Sequence, residues 1–353
     1  MEKKLAGKVQ TVLRLIDGDE LGLTLPHEHL LLDLSVRFKL MDESMTARVM
    51  AQKPVSLEMA GWLRFHIFEN IDNLMLDDEE LALKEVSLFK RAGGRSVVDM
   101  TNWGIGRDPH ALTRISRATG LNIIMGTGYY TMDSGCAEIL KSKTEDEIFE
   151  EIVKDVMEGT DGIFPGIIGE IGADSWPLDD IEIKSLRASA RAQRATGASL
   201  NIHPGRLEES PLQILQILDK ASADLSRVVM SHQDRTAYSF KSMVEMAKTG
   251  CYLEFDCFSS EGYYPRRYGV FDIPNDAMRV NYIIRLIDQG YLNQILISTD
   301  TCMKYRLVSY GGPGYAHITD NVIPWMRAKG MSEEIVNTLT VENPKRMLTF
   351  VST

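Results

Sequence analysis

No stretch of the 353 residues approaches the roughly 18 consecutive apolar residues of a membrane-spanning helix, so no such span is predicted. Met1–Leu13 carries charges but neither an apolar run nor a small-residue cleavage site, so no secretory leader is predicted. Cysteine is scarce. Cys136, Cys251, Cys257 and Cys302 include no CxxC pair, which argues against a disulfide framework and predicts reduced thiols in a cytoplasmic protein. Positive charge is also short. Lys and Arg number 39 against 50 Asp and Glu, a net charge of −11. The basic pairs Lys90-Arg91 and Arg266-Arg267 stand alone, so neither nucleic acid nor an anionic membrane surface is an expected partner. No linker, internal repeat or low-complexity tract is visible, and residues 1–353 are expected to form one domain.

What is present is a recurring pattern. Apolar or β-rich runs cover Leu21–His29, Arg95–Thr101, Asn122–Tyr130, Gly166–Gly172, Ser199–Gly205, Val228–Asp234, Tyr252–Cys257 and Ile295–Thr301. Most lack polar alternation, as parallel strands buried on both faces do. Helical patterns lie between them. Thr144 and Glu147 form a capping box ahead of an apolar stripe that stops at Gly159. Asp77 or Asp78 opens another helix, closed by Gly93 and Gly94, and Ser210 with Pro211 opens a third. Eight strand–helix alternations predict an α/β fold, a (β/α)8 TIM barrel. The long stretch between the first two strands, about residues 33–73, predicts a helical insertion over the barrel mouth.

Chemistry-bearing residues gather at the strand ends. His27 and His29 stand at i and i+2 of the first strand, where both imidazoles reach one point. His203, His232 and Asp300 each follow an apolar run, on the rim where barrel enzymes place their chemistry. Glu170 is a carboxylate inside an otherwise apolar fourth strand, and a cation is a natural partner for it. Four histidines and two carboxylates at one mouth predict a metal site. Arg206 and Arg235 each lie three residues beyond a rim histidine and suit the capture of an anionic group. Of the loop aromatics Trp103, Tyr129, Tyr130, Trp176, Phe258, Tyr263 and Tyr264, Tyr129 is the preferred substrate contact because it ends the third strand. His66, His110 and His317 lie off the strand ends and are read as structural or surface residues.

Taken together, these residues resemble the phosphotriesterase family of the amidohydrolase superfamily, and most of all its phosphotriesterase-related branch. The resemblance runs from Gly7-Lys8-Val9-Gln10-Thr11-Val12-Leu13 through His27-x-His29, Gly169-Glu170-Ile171-Gly172, Ile202-His203-Pro204-Gly205-Arg206, Ser231-His232 and Asp300. It continues through Tyr310-Gly311-Gly312-Pro313-Gly314-Tyr315 to Glu342-Asn343-Pro344-x-Arg346. It implies two divalent metal ions, with zinc favoured over manganese, cobalt or iron. His27, His29 and Asp300 would hold the buried ion, and His203 and His232 the exposed one. Organophosphate hydrolases bridge the pair with a carboxylated lysine. This chain has no lysine between Lys154 and Lys184, so Glu170 takes the bridge. Those enzymes also place a histidine after the seventh strand to shuttle protons, whereas Phe255-Asp256-Cys257-Phe258-Ser259-Ser260 has none. Efficient phosphotriester hydrolysis is therefore not expected.

The function expected is that of a binuclear metal-dependent hydrolase. A bridging hydroxide would attack a carbonyl or phosphoryl centre, and Asp300 would carry its proton to the leaving group. Two divalent ions, two carboxylates and a hydroxide leave about +1 at the site. With the arginines, this favours a small anionic substrate, an N-acyl amino acid or N-acyl taurine before a lactone or phosphate ester. Phosphotriesterase, phosphodiesterase or lactonase activity is the alternative. A mononuclear deaminase would not need Glu170, and a catalytically silent binding protein would not need the full ligand set. Dimers are common in the family, so a homodimer is the assembly it implies.

Overall fold

The structure, a computed structural model, describes residues 5–42, 44–235, 238–261 and 271–353. Tyr263, Tyr264 and the Arg266-Arg267 pair lie outside the described residues. Eight parallel strands line up in chain order: β1 (Thr24–Glu28), β2 (Ser96–Asp99), β3 (Asn122–Thr127), β4 (Ile167–Ala173), β5 (Leu200–Pro204), β6 (Val228–Met230), β7 (Tyr252–Phe255) and β8 (Ile295–Ile297). This is the expected barrel.

Alternation along the strands sorts side chains into two layers. Leu200, Ile202, Val228, Met230, Leu253 and Phe255 pack outward against the helices. Val98, Ile124, Ile167, Val229, Tyr252 and Leu296 fill the barrel interior. The hairpin Lys8–Gln10 with Leu15–Asp17 brings Val9 and Ile16 into this inner cluster, and the last helix brings Met347 and Leu348.

Across the seam between β8 and β1, one side chain takes four hydrogen bonds. Glu28 is fully buried, and its carboxylate accepts from Ser298 Oγ (2.7 Å), Thr299 N–H (2.8 Å), Thr299 Oγ1 (2.7 Å) and Thr301 N–H (2.8 Å). The Asp300 N–H donates to the His27 carbonyl at 3.2 Å across the same seam.

The helix signals are realised with small shifts. Thr144 and Glu147 cap the helix Glu145–Glu158, which Gly159 ends at φ +73°. Asp78 caps Glu79–Arg91. Ser210 is the first residue of its helix rather than the cap, because its hydroxyl accepts from the Gly205 N–H at 3.0 Å. The insertion holds the helix Met45–Gln52, the short helix Ala60–Leu63 and several single turns, and it sets Leu34, Arg37, Ile67 and Phe68 over the mouth.

Several expected strands stop early. β6 ends at Met230 and β8 at Ile297, each before its rim residue. There the backbone turns left-handed, at φ +58° for His232 and +45° for Asp300. Non-glycine residues rarely adopt this region, and it tends to mark functional sites.

Candidate metal centre

The structure brings the six residues singled out in the sequence, His27, His29, Glu170, His203, His232 and Asp300, to one place. His27 and Glu170 lie within β1 and β4, His203 is in β5, and His29, His232 and Asp300 follow strand ends. Glu170 Oε1 sits between His203 Nδ1 and His232 Nε2, the latter at 2.6 Å. The two imidazole nitrogens are 3.0 Å apart. Glu170 Oε2 is 3.6 Å from His27 Nε2. Asp300 Oδ1 lies 3.4 Å from His29 Nε2 and 3.9 Å from His27 Nε2. Five of the six are buried, and the Asp300 side chain keeps 16% exposure.

Each ring is oriented through its other nitrogen, as metal-binding histidines usually are. His27 Nδ1 meets Glu254 Oε2 at 2.9 Å, His29 Nδ1 meets Thr101 Oγ1 at 2.9 Å, and His232 Nδ1 meets Asp256 Oδ1 at 2.8 Å. His203 points Nδ1 inward, and its Nε2 faces an Arg235 guanidinium nitrogen at 3.0 Å.

These contacts leave a clear test of fit for a cation. His27 Nε2 is fully buried, has no hydrogen-bond partner, and looks into the cluster. A buried imidazole nitrogen without a hydrogen bond is costly, and although burial opposes it, Glu170, Glu254 and Asp256 favour positive charge at this ring, which a bound cation would supply. Together with His29, Asp300, Glu170 and His232 it forms groups whose ligand atoms lie within 4.8 Å of one another. The nitrogen and carboxylate donors suit a borderline divalent ion.

The charges are strongly coupled. Burial disfavours ionised Glu170, but His203, His27 and His232 outweigh it and hold the carboxyl well below the usual range. Burial likewise opposes ionisation of Asp300, and contact with His29, His232 and His27 pulls it down to about 2. Burial, with Arg235 beside it, lowers His203 despite the opposing pull of Glu170. His232 is raised to about 9, because Asp256 and Glu170 overcome its burial.

A cavity of about 80 Å³ opens onto the cluster. It is lined by Tyr130, His203, Arg206, His232, Arg235, Asp300 and Arg306, among others. Of the three residues expected to touch substrate, Arg206 and Arg235 line this cavity and Tyr129 does not. Arg235 contacts His203 and the Pro204 carbonyl, so it orients the His203 ring as well as facing the cavity. Tyr129 packs edge-on against Trp103 at 4.8 Å and donates to Glu151 at 2.5 Å, in a separate groove with Lys143 and Lys154.

Its neighbour Tyr130 faces the cluster instead, with its hydroxyl 3.3 Å from His203 Nδ1 and Arg37 over its ring at 5.1 Å. Burial and the Glu170 charge push its pKa well up, so the hydroxyl remains a donor. Sequence reading also passed over Arg37 and Arg306. Arg37 is buried between Asp133 (3.0 Å) and Asp174 (3.4 Å). Arg306 ties down the carbonyls of Asp300 (2.9 Å) and Phe258 (2.7 Å). The signal available was position, since both lie in loops leaving barrel strands. Cys257 stands where a proton-shuttling histidine was sought; burial and three nearby aspartates raise its thiol well above the ordinary range. His66, His110 and His317 pair instead with Glu69, Asp161 and Asp276, away from the cluster.

The phosphotriesterase family model matches residues 7–348. The chain belongs to the phosphotriesterase family. It is 42% identical over 367 residues to an N-acetyltaurine hydrolase of Dictyostelium discoideum, covering 98% of each chain. Among solved structures, a resiniferatoxin-binding protein from Rhodobacter sphaeroides superposes with a TM-score of 0.92 at 38% identity, over 97% of this chain and 95% of that one. A phosphotriesterase homology protein from Escherichia coli, complexed with phosphate in its active site, gives 0.77 at 28% identity, over 94% and 99%. This family member is a metal-dependent hydrolase acting on a small molecule. No helix among the described residues is long and apolar enough to cross a membrane.

Proposed function

We propose that this hydrolase cleaves the amide of a small N-acyl compound with an anionic head group, N-acetyltaurine foremost, at a centre of two divalent cations, zinc by preference. The observation that carries the metal centre is the buried His27 Nε2, without a hydrogen bond, shared by the groups His27–His29–Asp300 and His27–Glu170–His232. His27, His29 and Asp300 would hold one cation, His203 and His232 the other, and Glu170 would reach both. Bound there, such ions supply an ionised water at neutral pH and polarise the scissile carbonyl.

The chain's own residues do the rest. Asp300, the most exposed carboxylate of the set, takes a proton and returns it to the leaving amine nitrogen. The Tyr130 hydroxyl donates towards the carbonyl oxygen. Arg206 and Arg235 supply positive charge for a sulfonate or carboxylate. The unpaired state of the four cysteines supports a reducing, cytoplasmic setting.

The N-acetyltaurine hydrolase named among the relatives supports the amide reading. The resiniferatoxin-binding relative raises a second reading, a ligand-binding protein on the same scaffold, and the phosphate-bound relative a third, a phosphoesterase. One experiment separates them: the zinc-loaded protein is offered N-acetyltaurine, N-acyl amino acids, lactones and phosphate esters. Release of taurine and acetate, faster than turnover of any lactone or phosphate ester, is expected. Turnover confined to lactones or phosphate esters would move the reading there. No turnover of any of them would leave the binding reading.

A further inference from the structure

Below the ligands lies a polar layer to which the proposed reaction assigns no role. It includes Asn201 on β5, Ser231 just past β6 and Glu254 on β7, all fully buried. Branched apolar side chains usually fill a barrel at this depth. Glu254 is the anomaly. A buried carboxylate is costly unless an opposite charge meets it. Its Oε2 draws three polar groups: His27 Nδ1 at 2.9 Å, Asn201 Nδ2 at 3.0 Å and Ser231 Oγ at 2.8 Å. Its Oε1 is buried with no hydrogen-bond partner. Among the described residues no lysine or arginine ion-pairs with it, and His27 is its one such contact.

His27 is therefore the link between this layer and the mouth. Donation from Nδ1–H to Glu254 leaves Nε2 as the nitrogen that would offer a lone pair to a cation. Nε2 is the same atom that lies unpartnered beside Glu170 and Asp300. The supports of the other rings differ in kind. His29 rests on the neutral hydroxyl of Thr101, and His203 faces the cationic Arg235. His232 leans on Asp256, whose Oδ2 also lies 3.3 Å from His27 Nδ1. Negative charge is thus concentrated under His27 and His232.

We propose that Glu254 is a positioning residue for cation binding: from below it holds the His27 ring so that Nε2 faces the cluster. This rests on reading the cluster as a metal centre. An anionic partner makes an imidazole a stronger ligand, and loss of such a partner typically weakens metal affinity 10- to 100-fold. Buried, the same carboxylate also costs the fold its desolvation.

The test uses the full chain, stripped of metal and titrated with zinc against a chromophoric chelator, beside thermal unfolding of the metal-free protein. Glu254→Gln keeps the size and an acceptor oxygen but removes the charge. It should bind zinc about 10- to 100-fold more weakly, while its metal-free melting temperature stays level or rises. A residue that merely props the barrel would give the opposite pattern, with zinc affinity within about threefold of wild type and a lower metal-free melting temperature, and that would overturn the proposal. Glu254→Leu is the second variant and should lose zinc affinity to at least the same degree. If neither variant folds without metal, Glu254 is scaffold and the proposal fails. If the wild-type chain itself binds no zinc, the metal-centre reading falls first and takes this one with it.

Discussion

Asp300 must satisfy two demands with one carboxylate: to lie among three imidazoles and to stay reachable from the cavity. Its left-handed backbone, held by Arg306 on its own carbonyl, turns the side chain back over His29 and His27. With a pKa near 2 in the cation-free cluster it is ionised throughout the neutral range. Asp300→Asn keeps the shape and one ligand oxygen but cannot take up that proton. Turnover of N-acetyltaurine should fall by about 10²- to 10⁴-fold in protein whose metal content is measured and matched to wild type. Near wild-type turnover would remove Asp300 from the proton path. The six ligand candidates were legible because each interrupts an apolar run with a group that a barrel interior does not tolerate alone. The choice between Tyr129 and Tyr130 rested on which residue ends the strand, whereas alternation from the inward-facing Ile124 puts Tyr130 on the barrel side, where it lines the cavity.

At the scale of elements, β1 and β8 are joined less by a ladder than by Glu28. The carboxylate takes two backbone N–H groups and two hydroxyls from residues 298–301, the segment that ends in Asp300 and Thr301. Glu28→Ala would strand the Thr299 and Thr301 N–H groups in the interior. At about 1–3 kcal/mol for each buried unsatisfied group, the loss should reach about 3–5 kcal/mol. A urea titration of the metal-free protein would show a lower midpoint with the slope unchanged. A loss under about 1 kcal/mol would mean that the seam is held elsewhere. The eight strands themselves could be read from the sequence, since each is built around an apolar stretch such as Ile295–Ile297 or Val228–Met230. Their ends could not, because the chain leaves the ladder where His232 and Asp300 turn left-handed. Glu28 carried the same signal as Glu170, an acid in an apolar strand, but its place between two histidines drew attention to its neighbours.

For the whole molecule, the consequence is a barrel whose mouth gathers buried carboxylates and imidazoles at one point. Glu170, Glu254 and Asp256 are buried and Asp300 nearly so, crowded onto four imidazoles within a few ångströms of one another. The alternation of strands and helices foretold the barrel. It did not foretell the polar layer beneath the ligands or the N-terminal hairpin that closes the far end, because neither interrupts the periodicity from which the barrel was read. If this cluster holds a cation, as proposed, global stability is tied to it. An ion that binds the folded chain alone adds RT ln(1 + [L]/Kd), about 2.7 kcal/mol when free zinc stands at a hundred times its dissociation constant. Chelation should therefore move the urea midpoint down by that free energy divided by the unfolding slope, and re-addition of zinc should restore it. The shift should grow with the logarithm of free zinc, by about 1.4 kcal/mol for each tenfold rise above the dissociation constant. A midpoint indifferent to zinc over several decades would mean that the buried carboxylates are neutralised by protons rather than by a metal, and the centre would have to be reread as a hydrogen-bonded core.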